Sequence, residues 1–135
     1  MEKKSDWFKI DKVSIAHEDG RRSISPIFND DFIARQVKML RIKKHSILGN
    51  HYHDYRELFY ILEGQAAYLL ENIVTKEQQL LMLTKGDRLI IRPCIAHQAE
   101  MWEGTVTLEA SEEPYISADH NDRKYNVIIR RNEDE

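Results

Sequence analysis

Residues 49 to 64 read Gly-Asn-His-Tyr-His-Asp-Tyr-Arg-Glu-Leu-Phe-Tyr-Ile-Leu-Glu-Gly and concentrate side chains able to do chemistry. His51, His53 and Glu57 stand at i, i+2 and i+6. On a regular strand, even spacing puts all three on one face. A tight turn after His53 would instead return Glu57 on a neighbouring strand. Either arrangement gathers two imidazoles and a carboxylate, and His97 is a fourth candidate downstream. Three imidazoles and one carboxylate suit a single divalent transition metal: iron, manganese, nickel, zinc or copper. Cost points the same way. Desolvating these four groups together is unfavourable unless a cation compensates, holding the carboxylate ionised and the imidazoles neutral. Four protein ligands leave one or two positions of an octahedral ion open to substrate, water or dioxygen. A closed tetrahedral zinc would be structural.

Two segments carrying these residues resemble the paired motifs of the cupin superfamily. The first motif is a glycine, His-x-His, three or four residues, a glutamate, six residues and a glycine; His51, His53, Glu57 and Gly64 keep that spacing. Its opening glycine, Gly49, is nearer than usual, two residues before His51. The second motif places a histidine eleven residues after a glycine, as Gly86 and His97 are placed here. Pro93 sits one position later than usual, and Cys94 or Ile95 replaces the motif's second glycine. The resemblance spans roughly residues 35 to 112. It implies an all-β double-stranded β-helix, a jelly-roll-like barrel, with His51, His53, Glu57 and His97 as metal ligands. It also implies a homodimer, with residues 1–30 and the Val127-Ile128-Ile129 patch as candidate interface.

The bulk numbers set bounds. With 135 residues the chain has room for one core. Hydrophobic residues make up 41% and charged residues 32%, as in ordinary globular proteins. A net charge of −3 argues against nucleic acid as a partner. Cys94 is the single cysteine, so no intrachain disulfide can form. The N-terminal residues lack the apolar run of a signal peptide, and no stretch has the apolar length to span a bilayer. The expected location is cytoplasmic, with no membrane partner.

Short apolar runs broken by turn residues recur along the chain, the pattern of an all-β sandwich or barrel. Strands are expected at 10–15, at 22–28 as an edge or break marked by Pro26, and at 32–42 with a slip of alternation near Gln36 suggesting a bulge. Further strands are expected at 57–61, 65–70, 79–83, 88–92 and 105–110, with a hairpin connection over 71–78. The expected organisation is N-terminal strands or an arm over 1–30, the barrel over 31–118, and a polar C-terminal tail over 119–135. A final strand is possible at 126–130, and 131–135 is read as frayed.

Other residues are weighed by parity. Tyr55, Phe59 and Ile61 share the parity of His51 and His53, while Ala99 and Met101 share that of His97; Phe59, Ile61 and Met101 are read chiefly as core. Arg41, Arg88 and Arg92 are read chiefly as a solvated outer face, with recognition of a polar substrate as the alternative. His17, His45 and His120 read as structural or exposed, and Trp102 as hairpin packing.

The implied function is a small metal-dependent enzyme acting on a polar, carbohydrate-like or keto-acid-like molecule. Isomerase or epimerase chemistry leads, because the Gly49-Asn50-His51-Tyr52-His53 string looks like that of cupin domains in polysaccharide and nucleotide-sugar enzymes. A metal would polarise a substrate carbonyl and acidify the neighbouring C–H. Tyr55 is a weak candidate for the base. Non-haem iron dioxygenase and non-catalytic small-molecule binding are the alternatives.

Overall fold

Alternating apolar runs close into two facing antiparallel sheets in the computed structural model, which describes residues 6–129. In chain order the strands are β1 (Phe8–Lys12), β2 (His17–Glu18), β3 (Ser23–Ile24), β4 (Gln36–Arg41), β5 (Ser46–Tyr52) and β6 (Glu57–Glu63). They continue as β7 (Gln65–Asn72), β8 (Gln78–Thr84), β9 (Asp87–Ile91), β10 (Ile95–Met101), β11 (Val106–Ser111), helix α1 (Ala118–Asn121) and β12 (Arg123–Lys124). One sheet runs β1-β9-β6-β11-β4, the other β12-β5-β10-β7-β8, and β2-β3 form a small separate hairpin. Neighbouring strands are mostly distant in sequence, the signature of a jelly-roll barrel. The expected all-β double-stranded β-helix is the fold observed.

The core lies between the sheets. Phe59 and Ile61 of β6, Tyr68 and Leu70 of β7, Leu89 and Ile91 of β9 and Met101 of β10 point inward at alternate positions, and Trp7 closes one end. Strand β6 is buried on its other face as well, where Leu58 packs with Phe32, Ile90 and Ala110. That second layer explains why 57–62 reads as nearly continuous apolar sequence instead of alternating. Gly64 ends β6 at φ +84°, and a Cβ there would come within 2.6 Å of Thr105 Oγ1.

Several boundaries differ from the sequence reading. The first strand lies over 8–12, not 10–15, because it pairs with β9 in the register Phe8↔Ile91 to Lys12↔Asp87. Residues 22–28 contribute only Ser23–Ile24 to a strand, and Ile27 and Phe28 serve as packing against the second layer. The 32–42 strand is confined to Gln36–Arg41; Phe32 is a buried anchor ahead of it. Asn126–Ile129 is not a strand: Arg123–Lys124 pairs with β5 instead, and Val127 plugs a small cluster with Leu69 and Ala96. Residues 131–135 lie outside the described residues. Arg88, read as solvated, is 8% exposed. It donates to both carboxylate oxygens of Asp11 at 2.9 and 2.8 Å and to the Ile27 carbonyl at 2.9 Å, and it pairs with Asp31 at 2.9 Å.

Candidate functional site

The site begins with an irregularity in β5. Strand β10 pairs with β5 as His97↔His51 and then Gln98↔Gly49, so Asn50 is an extra, bulged residue. Gly49 and Asn50 take φ values of +96° and +62°. A Cβ on Gly49 would stand 2.7 Å from the His97 carbonyl oxygen, so only glycine permits this approach. The bulge inverts the alternation of the strand. Leu48 faces the barrel interior before it, and His51 and His53 face the interior after it. The sequence reading placed a bulge near Gln36; the one that matters is here.

The connection 53–56 then crosses from one sheet to the other, which brings Glu57 back at the start of β6. Of the two arrangements open from the spacing, the turn is the one observed. Cys94, at φ +64°, occupies the tight turn where the second motif would have glycine, and its N–H donates to the His53 carbonyl at 2.8 Å. His97 is thereby held opposite His51 despite the departure from the motif.

One ring nitrogen from each of His51, His53 and His97 lies within 4.8 Å of the others. Glu57 Oε1 is 3.1 Å from His53 Nε2 and 3.7 Å from His97 Nε2, yet it meets no hydrogen-bond partner among the described residues. His53 Nδ1 donates to the Asn121 carbonyl at 2.7 Å, so its Nε2 presents a lone pair toward Glu57. Burial pushes the His97 imidazole well below its usual value, with His51 and His53 adding to the effect. Burial also lowers His51 and His53. It drives the Glu57 carboxyl well up, and Glu109 adds to that. Three neutral imidazoles and a buried carboxyl whose Oε1 meets no partner among the described residues form a set that fits a divalent cation, which would hold the carboxyl ionised.

These groups line a cavity of about 260 Å³ inside the barrel mouth. Phe59, Ala99 and Met101 give it an apolar floor, as parity suggested, while Ile61 is wholly core. None of Arg41, Arg88 and Arg92 lines it. Tyr55 lies in the turn and stacks on His53 at 4.9 Å between ring centroids. Exposed His17 and His45 pair with Asp19 and Glu100 at 2.8 and 2.7 Å, and His45 packs on Trp102.

Sequence reasoning missed the wall supplied by the segment after β11. Asn121 is 5% exposed. Its side chain accepts from the Ile116 and Ser117 N–H groups and donates to Tyr55 Oη and the Pro114 carbonyl. Asp122 beside it lies 3.5 Å from His51 Nδ1 and 3.7 Å from His53 Nδ1. The segment is tied back to the β5 bulge: Tyr125 N–H donates to the Asn50 carbonyl at 2.9 Å, and Val127 N–H to Asn50 Oδ1 at 3.1 Å. Tyr125 Oη also donates to buried Glu71. The only sequence hint was the apolar 127–129 patch, read as part of a final strand or as an interface. Lys38 of β4 and Glu109 of β11 were missed as well, for their strands read as ordinary amphipathic ones.

The fold is a jelly-roll barrel of the cupin type, with its polar cluster at the His-x-His segment. No family model matches the chain, and no curated protein matches it in sequence. Solved structures match it in fold. The TDP-fucose-3,4-ketoisomerase WlaRA from Campylobacter jejuni aligns with a TM-score of 0.73 at 18% identity, over 86% of this chain and 87% of that one. A variant of the 3,4-ketoisomerase QdtA from Thermoanaerobacterium thermosaccharolyticum, in complex with TDP-4-keto-6-deoxyglucose, aligns at 0.72 and 18% identity over 87% and 86%. The dTDP-4-dehydrorhamnose 3,5-epimerase from Sulfolobus tokodaii aligns at 0.74 and 16% identity over 87% and 76%. At such identities the likeness concerns the fold. Among the described residues no helix is long and apolar enough to cross a membrane.

Proposed function

We propose that this protein is an isomerase or epimerase of a keto sugar, of the nucleotide-linked kind that its structural neighbours act on, using one divalent transition metal held by His51, His53, His97 and Glu57. The observation that carries the reading is the convergence of three neutral imidazoles on one cavity with Glu57, whose Oε1 meets no hydrogen-bond partner among the described residues. A cation held there would polarise a substrate carbonyl and acidify the C–H beside it. The chain's own residues do the positioning. The Asn121 carbonyl fixes the His53 tautomer, so Nε2 stays unprotonated toward the cavity. Phe59, Ala99 and Met101 seat the apolar face of a sugar ring and keep water from the reacting carbons. A homodimer belongs to the same reading. Edge strand β4 carries Val37 and Met39, each half exposed, on the face away from the cavity.

The test joins composition to turnover. Protein purified without chelators is expected to carry about one transition metal per chain. It is also expected to interconvert TDP-4-keto-6-deoxyglucose with a regioisomer or epimer, followed by proton NMR. Protein that neither carries nor takes up Fe(II), Mn(II), Ni(II) or Zn(II), and leaves the sugar unchanged, would sink the proposal.

A further inference from the structure

The sheet facing the histidines carries an ionisable row of its own. Glu109 of β11 stands in register between Phe59 of β6 and Lys38 of β4. Glu109 and Lys38 both line the cavity, and Lys38 Nζ lies 3.7 Å from Glu109 Oε2. The Glu109 side chain is 15% exposed, against 51% for Lys38, so the carboxylate lies inside and the ammonium at the rim. Barrel packing does not call for a carboxylate beside Phe59, where an apolar side chain would bury at lower cost. Tyr68 of β7 enters the same cavity from the histidine sheet. It is 1% exposed, and its hydroxyl meets no partner among the described residues. Buried hydroxyls are rarely left so. Burial, with Glu109 and Glu57 adding to it, pushes the Tyr68 phenol well up, which keeps it a proton donor. The cavity thus has two poles: the imidazoles with Glu57, and Glu109 with Lys38. Tyr68 lines the same cavity as both.

We propose that Glu109 carries the proton between adjacent carbons of the keto sugar, with Lys38 positioning its carboxylate and Tyr68 serving the substrate's oxygens. This role rests on the isomerase reading above. Glu109 takes the proton from the carbon that bears a hydroxyl next to the carbonyl. The electron pair of that C–H bond becomes the double bond of an enediolate, and the carbonyl π pair moves onto its oxygen. Tyr68 gives its proton to that oxygen and takes the one on the neighbouring hydroxyl, whose oxygen becomes the new carbonyl. The proton held on Glu109 exchanges with water before Glu109 delivers one to the former carbonyl carbon. One C–H and one O–H break, one of each forms, and no oxidant or reductant is consumed.

The experiment follows deuterium entering TDP-4-keto-6-deoxyglucose in D₂O by NMR, using metal-supplemented full-length protein. Glu109→Gln is expected to slow exchange about 100-fold or more, while metal content and TDP affinity by calorimetry stay within about threefold of wild type. Exchange in Glu109→Gln at the wild-type rate would overturn the role of Glu109 alone. No exchange in wild type would overturn the isomerase reading and this role with it. If Glu109→Gln does not fold, Glu109→Leu replaces it, and wild-type exchange there would equally overturn the role. Lys38→Met is expected to lower kcat about tenfold at unchanged KM, with Lys38→Arg restoring it. A change in KM alone would assign Lys38 to binding and overturn its positioning role.

Discussion

Two buried charged clusters in this barrel differ in one respect. Around Arg88, every strong donor finds an acceptor: both Asp11 oxygens, Asp31 and the Ile27 carbonyl. Around His97 the accounts stay open. Glu57 Oε1 and Tyr68 Oη meet no partner among the described residues, and burial holds three imidazoles neutral. Both clusters join residues far apart in sequence, and both centre on a buried side chain, Arg88 in one and His97 in the other. The closed one ties β1 and the N-terminal segment to β9 and is complete in itself. The open one has valences left for a guest. Incomplete satisfaction, more than the presence of charge, separates the site from the scaffold.

The strongest way to break this contrast is to remove the open cluster. His51→Ala with His53→Ala is expected to abolish metal retention and lower turnover roughly 10³-fold or more, while its thermal unfolding barely differs from that of metal-free wild type. A large fall in melting temperature for the metal-free variant would make those histidines structural. Damage to the closed cluster should do the opposite. Arg88→Ala is expected to cost about 2 kcal/mol in urea unfolding, moderated because Asp11 and Asp31 remain about a third exposed. Its metal content should stay at wild-type level.

A smaller effect sharpens the geometry. Gly49→Ala puts a methyl against the His97 carbonyl at positive φ. It is expected to cost about 1–2 kcal/mol and to weaken metal retention, because His51 and His97 are aimed through that contact. Unchanged metal affinity would show that the bulge does not aim the histidines.

The smallest effect tests the sign of the electrostatics. The Glu57 carboxyl is pushed well above its usual 4.5 by burial and then by Glu109. Its neutral form suits the metal-free fold, so that contribution is full below pH 4.5 and is lost as pH rises toward the folded value. In metal-free protein, Glu57→Gln is therefore expected to be the more stable form at pH 7, by about 1 kcal/mol, with the gap closing at acid pH. With metal bound the order should reverse. A gap that grows on acidification would contradict the assignment.

The four clustered groups were legible because imidazoles and carboxylates at His51, His53, Glu57 and His97 keep motif spacing, and residue type alone restricts what they can bind. Strands β6, β7 and β9 were legible from their apolar, β-branched and aromatic content. Arg88 was misread because a charged residue on a strand says nothing of which loop will cover it. Asn121 and Asp122 were missed because a short polar helix in a polar tail has no periodicity to expose it. Glu109 and Lys38 were missed because their facing of the cavity depends on which sheet side closes inward.

By itself the sequence determined the fold class, the candidate donors and the two glycines that bracket the first motif. These follow from local properties: side-chain chemistry, alternation along a strand, and the backbone freedom of glycine. Only the tertiary structure decided that Asn50 bulges out and inverts the face of β5, and that Glu57 returns from the opposite sheet. It also decided that Lys38, Glu109, Tyr68 and Asp122 complete the cavity, and that the Asn121 carbonyl holds His53 from behind it. Those outcomes depend on register and closure between strands tens of residues apart, and no local pattern encodes them.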